Sequence, residues 1–158
     1  LPSKLIHSGR LPALPGLRQI EPRGALWARI DCDGMSLHVI NTHLSLVARE
    51  RRSQTDCLLG PEWMGRADCV GPVALVGDFN LVPRSRVYHR LTKDLKDVQR
   101  APGLGRTKPT FPSGFPVLRL DHVFTRGEIV VRRVDVIRNK ITRVASDHLP
   151  LVVDFDMV

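Results

Sequence analysis

The run Val73-Ala74-Leu75-Val76, closed by Gly77, constrains this chain more than any other stretch. Consecutive apolar residues that follow neither a helical nor an alternating period form a strand only if both faces are covered. Such a strand lies inside a sheet with further layers on each side. The preceding sequence supplies candidates for those layers. Residues 46–60 set Val47, Cys57, Leu58 and Leu59 against a charged face of Arg49, Glu50, Arg51 and Arg52, as an amphipathic helix does, and Gly60-Pro61 stops it. Before that helix, residues 25–31 and 35–42 are strand-like and are joined by Asp33-Gly34, a hairpin signal. Leu37, Val39 and Asn41 share one face of the second strand, and His38, Ile40 and Thr42 the other. A hairpin, a crossing helix and a doubly buried strand predict a mixed α/β layered domain and not a bundle.

The rest of the chain fits that plan. Residues 1–24, rich in Pro, Gly and Arg, read as loop with one short strand. A short helix is expected between Pro83 and Leu95, a Pro- and Gly-rich loop over 101–116, and strands over 118–125, 129–137 and 149–156. No segment repeats. At 158 residues the chain suffices for one domain with a single core. No apolar stretch approaches the ~20 residues that span a bilayer, and no basic-then-apolar leader opens the chain. Cys32, Cys57 and Cys69 are odd in number and lack metal-ligand spacing, so free thiols and a cytoplasmic location are expected. The net charge of +8 favours polyanionic partners, nucleic acid or anionic membrane, although the cations form no unbroken run. Aromatics make up only 5%, which argues against stacking many bases along a groove.

Four polar clusters stand at the ends of these strands, where loops meet and sites are commonly built. They are Asn41-Thr42-His43, Gly77-Asp78-Phe79-Asn80, Asp121 within Leu118-Arg119-Leu120-Asp121-His122, and Ser146-Asp147-His148-Leu149-Pro150. Each alone reads as readily as a turn or a satisfied core residue. Together they offer carboxylates for a hard cation, and carboxamides and imidazoles that bind or protonate phosphate oxygens.

The segments NTHLS, Arg52 with Gln54, ALVGDFN, RLDHVF and SDHLP, in that order, resemble the endonuclease/exonuclease/phosphatase (DNase I-like) superfamily over about residues 20–158. The resemblance implies a four-layer α/β/β/α sandwich and hydrolysis of phosphodiesters or phosphomonoesters by in-line attack of water, assisted by Mg²⁺ or Mn²⁺. By position, Asp78 resembles the aspartate that orients or deprotonates the water, and Asn80 its phosphate-binding partner. His148 resembles the histidine that contacts the phosphate, and Asp121 the aspartate that orients it. Asp147 resembles a carboxylate at the metal site, and His43 a second histidine able to protonate the leaving oxygen. Asn41 supports this shell, and Arg119 is a candidate substrate contact.

The family's N-terminal portion, with the glutamate that is its main metal ligand, has no counterpart here, and Glu21 falls too late in the order to replace it. The expectation is therefore the C-terminal part of one such domain, with little metal affinity or activity by itself and self-association through an exposed sheet edge. Three functions fit: a nucleic-acid phosphodiesterase, favoured by the charge; a lipid or small-molecule phosphoesterase; and an inactive binding module, against which the intact Asp78, Asn80, Asp121 and His148 stand.

Overall fold

The computed structural model describes residues 1–14 and 21–158. Strands β1 (Ser3–Arg10), β2 (Gly24–Cys32) and β3 (Met35–His43) form an antiparallel meander. Asp33 and Gly34 both adopt positive φ, 48° and 86°, as the two-residue hairpin turn requires. Helix α1 (Ala48–Leu59) then crosses over and returns the chain as β4 (Val73–Asp78), parallel to β3. Helix α2 (Arg86–Leu91), the two-residue β5 (Lys96–Asp97) and β6 (Asp121–Arg126) follow, and β6 pairs antiparallel with both β4 and β5. The six strands lie in the order β1-β2-β3-β4-β6-β5. Strands β7 (Ile129–Val136) and β8 (Leu151–Met157) form a separate antiparallel pair, with the short helix α3 (Thr142–Ala145) between them.

The apolar run of β4 divides between two cores, which explains its lack of alternation. Val73 and Leu75 face α1 and α2 and join Trp27, Ile40, Leu58, Tyr88, Leu91 and Phe124 in the larger cluster. Ala74 and Val76 point to the opposite face and pack with Leu37 and Val39 against Ile129, Val131, Phe155 and Met157 of the second sheet. Helix layer, large sheet and small sheet are thus three layers of the expected sandwich. The outer face of β7–β8 exposes Val130 and Val152, and among the described residues no helix covers it.

Two sequence expectations change. Residues 3–10 form a full strand and not mostly loop; it is an edge strand, largely exposed, so its side chains show no apolar alternation. Part of the loop expected over 1–24, at residues 15–20, lies outside the described residues. The strand expected from Leu118 begins only at Asp121: Leu118 forms a single bridge to Phe111, and the Leu120 carbonyl accepts from the Phe79 amide at 2.9 Å. Among the described residues, no helix is long and apolar enough to cross a membrane.

Candidate active site

Strand register builds the site. His43 at the end of β3 pairs with Asp78 on β4, and Asp78 pairs with Asp121 on β6, so three neighbouring strands set these side chains side by side. Gly77 makes the close approach possible. Its φ of 133° is a conformation that L side chains rarely adopt, and a Cβ there would collide with the Thr42 carbonyl oxygen. Beyond β4 the chain turns sharply. The Asn80 amide donates to Asp78 Oδ1 at 2.8 Å, with Asn80 itself in the left-handed region at φ 48°. Asn80 Nδ2 donates to the Leu44 carbonyl at 2.9 Å, which ties the Asp78 loop to the loop leaving β3. That second loop is held in turn by Gln54, which accepts from the Ser45 amide, and by Arg51, which donates to the Ser45 and Leu46 carbonyls.

His148 arrives from the segment before β8, pinned on both sides. The Ser113 amide donates to the Asp147 carbonyl at 2.7 Å, and the Leu149 amide to the Thr110 carbonyl at 2.8 Å. Its ring lies 4.8 Å from that of Phe111. Nδ1 meets Asp121 Oδ2 at 2.8 Å, and Nε2 lies 3.8 Å from Asp78 Oδ2. The same Asp78 oxygen is 3.2 Å from His43 Nε2, which is also 3.2 Å from Asn80 Nδ2.

The electrostatics follow from this geometry. Burial raises the Asp78 carboxyl above the ordinary aspartate value, and the Asp121 charge adds to it; the Asn80 amide and the two histidines oppose. For His148, burial pulls the pKa down, but the hydrogen bond and charge of Asp121, with the charges of Asp78 and Asp147, outweigh it and raise it. Asp121 therefore favours the protonated form of His148, whose Nε2 faces Asp78. An open cavity of about 560 Å³ adjoins Asp78, Asp121, His148 and Asn41 and extends over Val39 and Val76.

Of the residues singled out in the sequence, the structure brings together His43, Asp78, Asn80, Asp121 and His148, with Asn41 exposed on the cavity wall. Asp78, Asp121 and His148 present ligand atoms within 4.8 Å of one another and could hold a metal ion. Asp147 is exposed and outside that group; its carboxylate meets only the Ser146 hydroxyl, at 3.5 Å. Arg119 is placed elsewhere. Its side chain is 7% exposed and forks onto Asp97 at 2.9 and 3.0 Å, which does not support the expected substrate contact. A strand-end arginine in a basic chain looks exposed because its partner lies 22 residues earlier.

Two supporting residues carried no sequence signal. His122 Nε2 donates to both the Leu81 and Arg119 carbonyls at 3.1 Å and so clamps the Asp78 loop to the Asp121 segment. Thr110, in the middle of an irregular loop, fastens the residues before Asp121 and after His148.

A model of the Endonuclease/Exonuclease/phosphatase family matches residues 7–148. The uncharacterized protein YbhP of Escherichia coli K12 is 33% identical over 134 residues, which cover 83% of this chain and 51% of YbhP. The chain thus spans about half the length of the curated relatives it matches. Among solved structures, an endonuclease/exonuclease/phosphatase from Bacteroides vulgatus superposes with a TM-score of 0.80 at 19% identity, over 99% of this chain and 67% of that one. A mannosyl-6-phosphatase from Bacteroides thetaiotaomicron superposes with a TM-score of 0.75 at 22% identity, over 98% of this chain and 67% of that one. At these identities the structural likenesses bear on the fold, which is the DNase I-like mixed α/β arrangement.

Proposed function

We propose, from the premise that this chain belongs to the endonuclease/exonuclease/phosphatase family, that its protein is a phosphoesterase whose hydrolytic site is centred on Asp78 and His148. Members of this family are hydrolases, nucleases and phosphatases among them. The observation that carries the reading is one carboxylate oxygen, Asp78 Oδ2, placed between two imidazoles at 3.2 and 3.8 Å, with the farther imidazole held by Asp121 at 2.8 Å.

That arrangement suits attack of water on phosphorus. Asp78, ionised and partly desolvated, accepts a hydrogen bond from the water and draws its proton. His148, kept cationic by Asp121, presents Nε2 to a phosphoryl oxygen and stabilises the charge that develops there. Asn80, fixed through Leu44, keeps part of its carboxamide for the same phosphate. His43, half exposed at the rim, is placed to protonate the departing oxygen. Asn41 lines the entrance.

The donor set fits a divalent cation. Two aspartate oxygens suit Mg²⁺ or Mn²⁺, while His148, as a cation, would stay outside the coordination sphere. Asp78 and Asp121 would hold it, with Asp147 as the adjacent carboxylate, and when bound it would neutralise charge on the phosphoryl group and the leaving oxygen.

A nucleic-acid backbone is the preferred substrate, because the chain carries a net charge of +8. The fold likeness to a mannosyl-6-phosphatase supports a small phosphate ester as the second reading. The test is a substrate panel with Mg²⁺ or Mn²⁺: bis(p-nitrophenyl) phosphate, p-nitrophenyl phosphate, a sugar phosphate, a phospholipid, and single- and double-stranded nucleic acid. Turnover of diesters and nucleic acid is expected. Turnover confined to monoesters would select the second reading, and no turnover of any ester by the whole protein would refute both.

A further inference from the structure

Helices α1 and α2 lie side by side over the large sheet, tied by Arg90 Nε to Asp56 Oδ1 at 3.6 Å. The groove between them encloses about 420 Å³ and is walled by basic side chains at helical spacing, Arg52 on α1 and Arg86, His89, Arg90 and Lys93 on and just after α2. Arg52, Arg86, His89 and Lys93 are exposed. Among the described residues Arg52, Arg86 and Lys93 form no ion pair, while Arg90 is shared by Asp56 and Asp94. Asp56 is the one carboxylate lining the groove.

Like charges crowded along two facing helices repel one another, so the arrangement costs stability unless an anion relieves it. A second observation points to a ligand. Thr55, on the groove floor between Arg52 and Asp56, is 1% exposed, yet its hydroxyl has no hydrogen-bond partner. A buried hydroxyl without a partner costs free energy.

The place of the groove gives it a role. Helix α1 starts five residues after His43, and α2 six residues after Asn80, so both helices leave directly from the catalytic loops. Arg86 opens α2, and Arg52 stands about 6 Å along α1 at the usual rise per residue. The basic side chains of the groove therefore follow, in chain order, the loops that carry His43 and Asn80.

We propose that this groove is a phosphate-tracking subsite, in which Arg52, Arg86 and Lys93 bind phosphates of a single nucleic-acid strand, another phosphate of which occupies the Asp78–His148 site. A channel between two packed helices admits one strand and excludes a duplex. The strand lies along it by its backbone, which matches the scarcity of aromatic side chains for stacking. The link to the catalytic phosphate rests on the phosphoesterase reading; the binding does not.

The two readings separate in one experiment. Anisotropy of a fluorescein-labelled dT12 is titrated from 50 to 200 mM salt in an Asp78→Asn background, with and without Arg52→Glu and Arg86→Glu, and hydrolysis of bis(p-nitrophenyl) phosphate is followed separately in the whole protein retaining Asp78. Both arginines are exposed, so the variants should fold, and Arg52→Lys with Arg86→Lys controls for charge. The double glutamate variant should bind the oligonucleotide about tenfold or more weakly and lose about 1.4 from the salt slope, the share of two single-strand phosphate contacts. The lysine variant should retain binding, and hydrolysis of the small diester should be unchanged. Equal oligonucleotide affinity in the glutamate variant and the parent would overturn the proposal. So would a loss of binding to phosphatidylserine vesicles with oligonucleotide binding intact, which would assign the groove to a membrane. A failure of small-diester hydrolysis alone would count against the catalytic reading and leave the groove standing.

Discussion

His43 Nε2 cannot serve both of its neighbours at once. If protonated it donates to Asp78 Oδ2, and if not it accepts from Asn80 Nδ2, both at 3.2 Å. A proton at that atom changes which partner the ring holds, as expected of a group that gives its proton to a leaving oxygen. The two shifted groups set a pH window. The proposed hydrolysis would use Asp78 ionised and His148 protonated, and both pKa values are raised. The kcat/KM profile should be bell-shaped, with an acid limb above the ordinary aspartate value and a basic limb above the ordinary histidine value. Asp121→Asn should move the basic limb to lower pH, because burial of His148 then meets less opposing charge; an unmoved limb would remove Asp121 from this role. For stability both groups have the same sign. A raised folded pKa contributes stability below the unfolded value, and that stability is lost as pH rises through the folded one. Gly77→Ala should cost about 2–4 kcal/mol in urea unfolding, since the new Cβ meets the Thr42 carbonyl in a left-handed backbone.

At the scale of elements, the short β5 and the turn after it are held by a buried network. Asp97 accepts from Arg119 twice and from the Tyr88 hydroxyl at 2.7 Å. Burial, and then the bond to Asp97, pushes the Tyr88 phenol up to about 12. Asp97→Ala strands the Arg119 charge inside the protein and should cost about 3–5 kcal/mol, measured by chemical denaturation; a cost below about 1 kcal/mol would show that water reaches the guanidinium. This network also marks how far the sequence could be read. β2, β3 and α1 were legible because burial on a regular face writes a period into the residues, and β4 because burial on both faces leaves an unbroken apolar run. β5 was not, since two residues carry no period, and β1 was not, since an exposed edge imposes none. Arg119 was misread for the same reason: a pairing between distant residues leaves no mark on local pattern.

For the whole molecule, the site was legible further than its supports. Polar residues at the ends of buried strands are conspicuous, and strand register turns that conspicuousness into proximity, as His43, Asp78 and Asp121 show. His122 and Thr110 hold the same loops through main-chain carbonyls and amides, which side-chain identity does not announce. The small sheet leaves both β7 and β8 with an unpaired edge and exposes Val130 and Val152. Sedimentation velocity on this chain should show association that grows with concentration and weakens in Val152→Lys; a monomer at all concentrations would contradict it.

The central claim is that Asp78 and His148 hydrolyse a phosphate ester as one unit. It is tested most directly by metal-supported turnover of bis(p-nitrophenyl) phosphate by the whole protein, compared across Asp78→Asn, His148→Ala and the double variant. Each single substitution should lower kcat by about 10²–10⁴, and the double variant should fall little further, because groups that act together are not additive. Turnover that survives either single substitution within a few-fold would contradict the assignment.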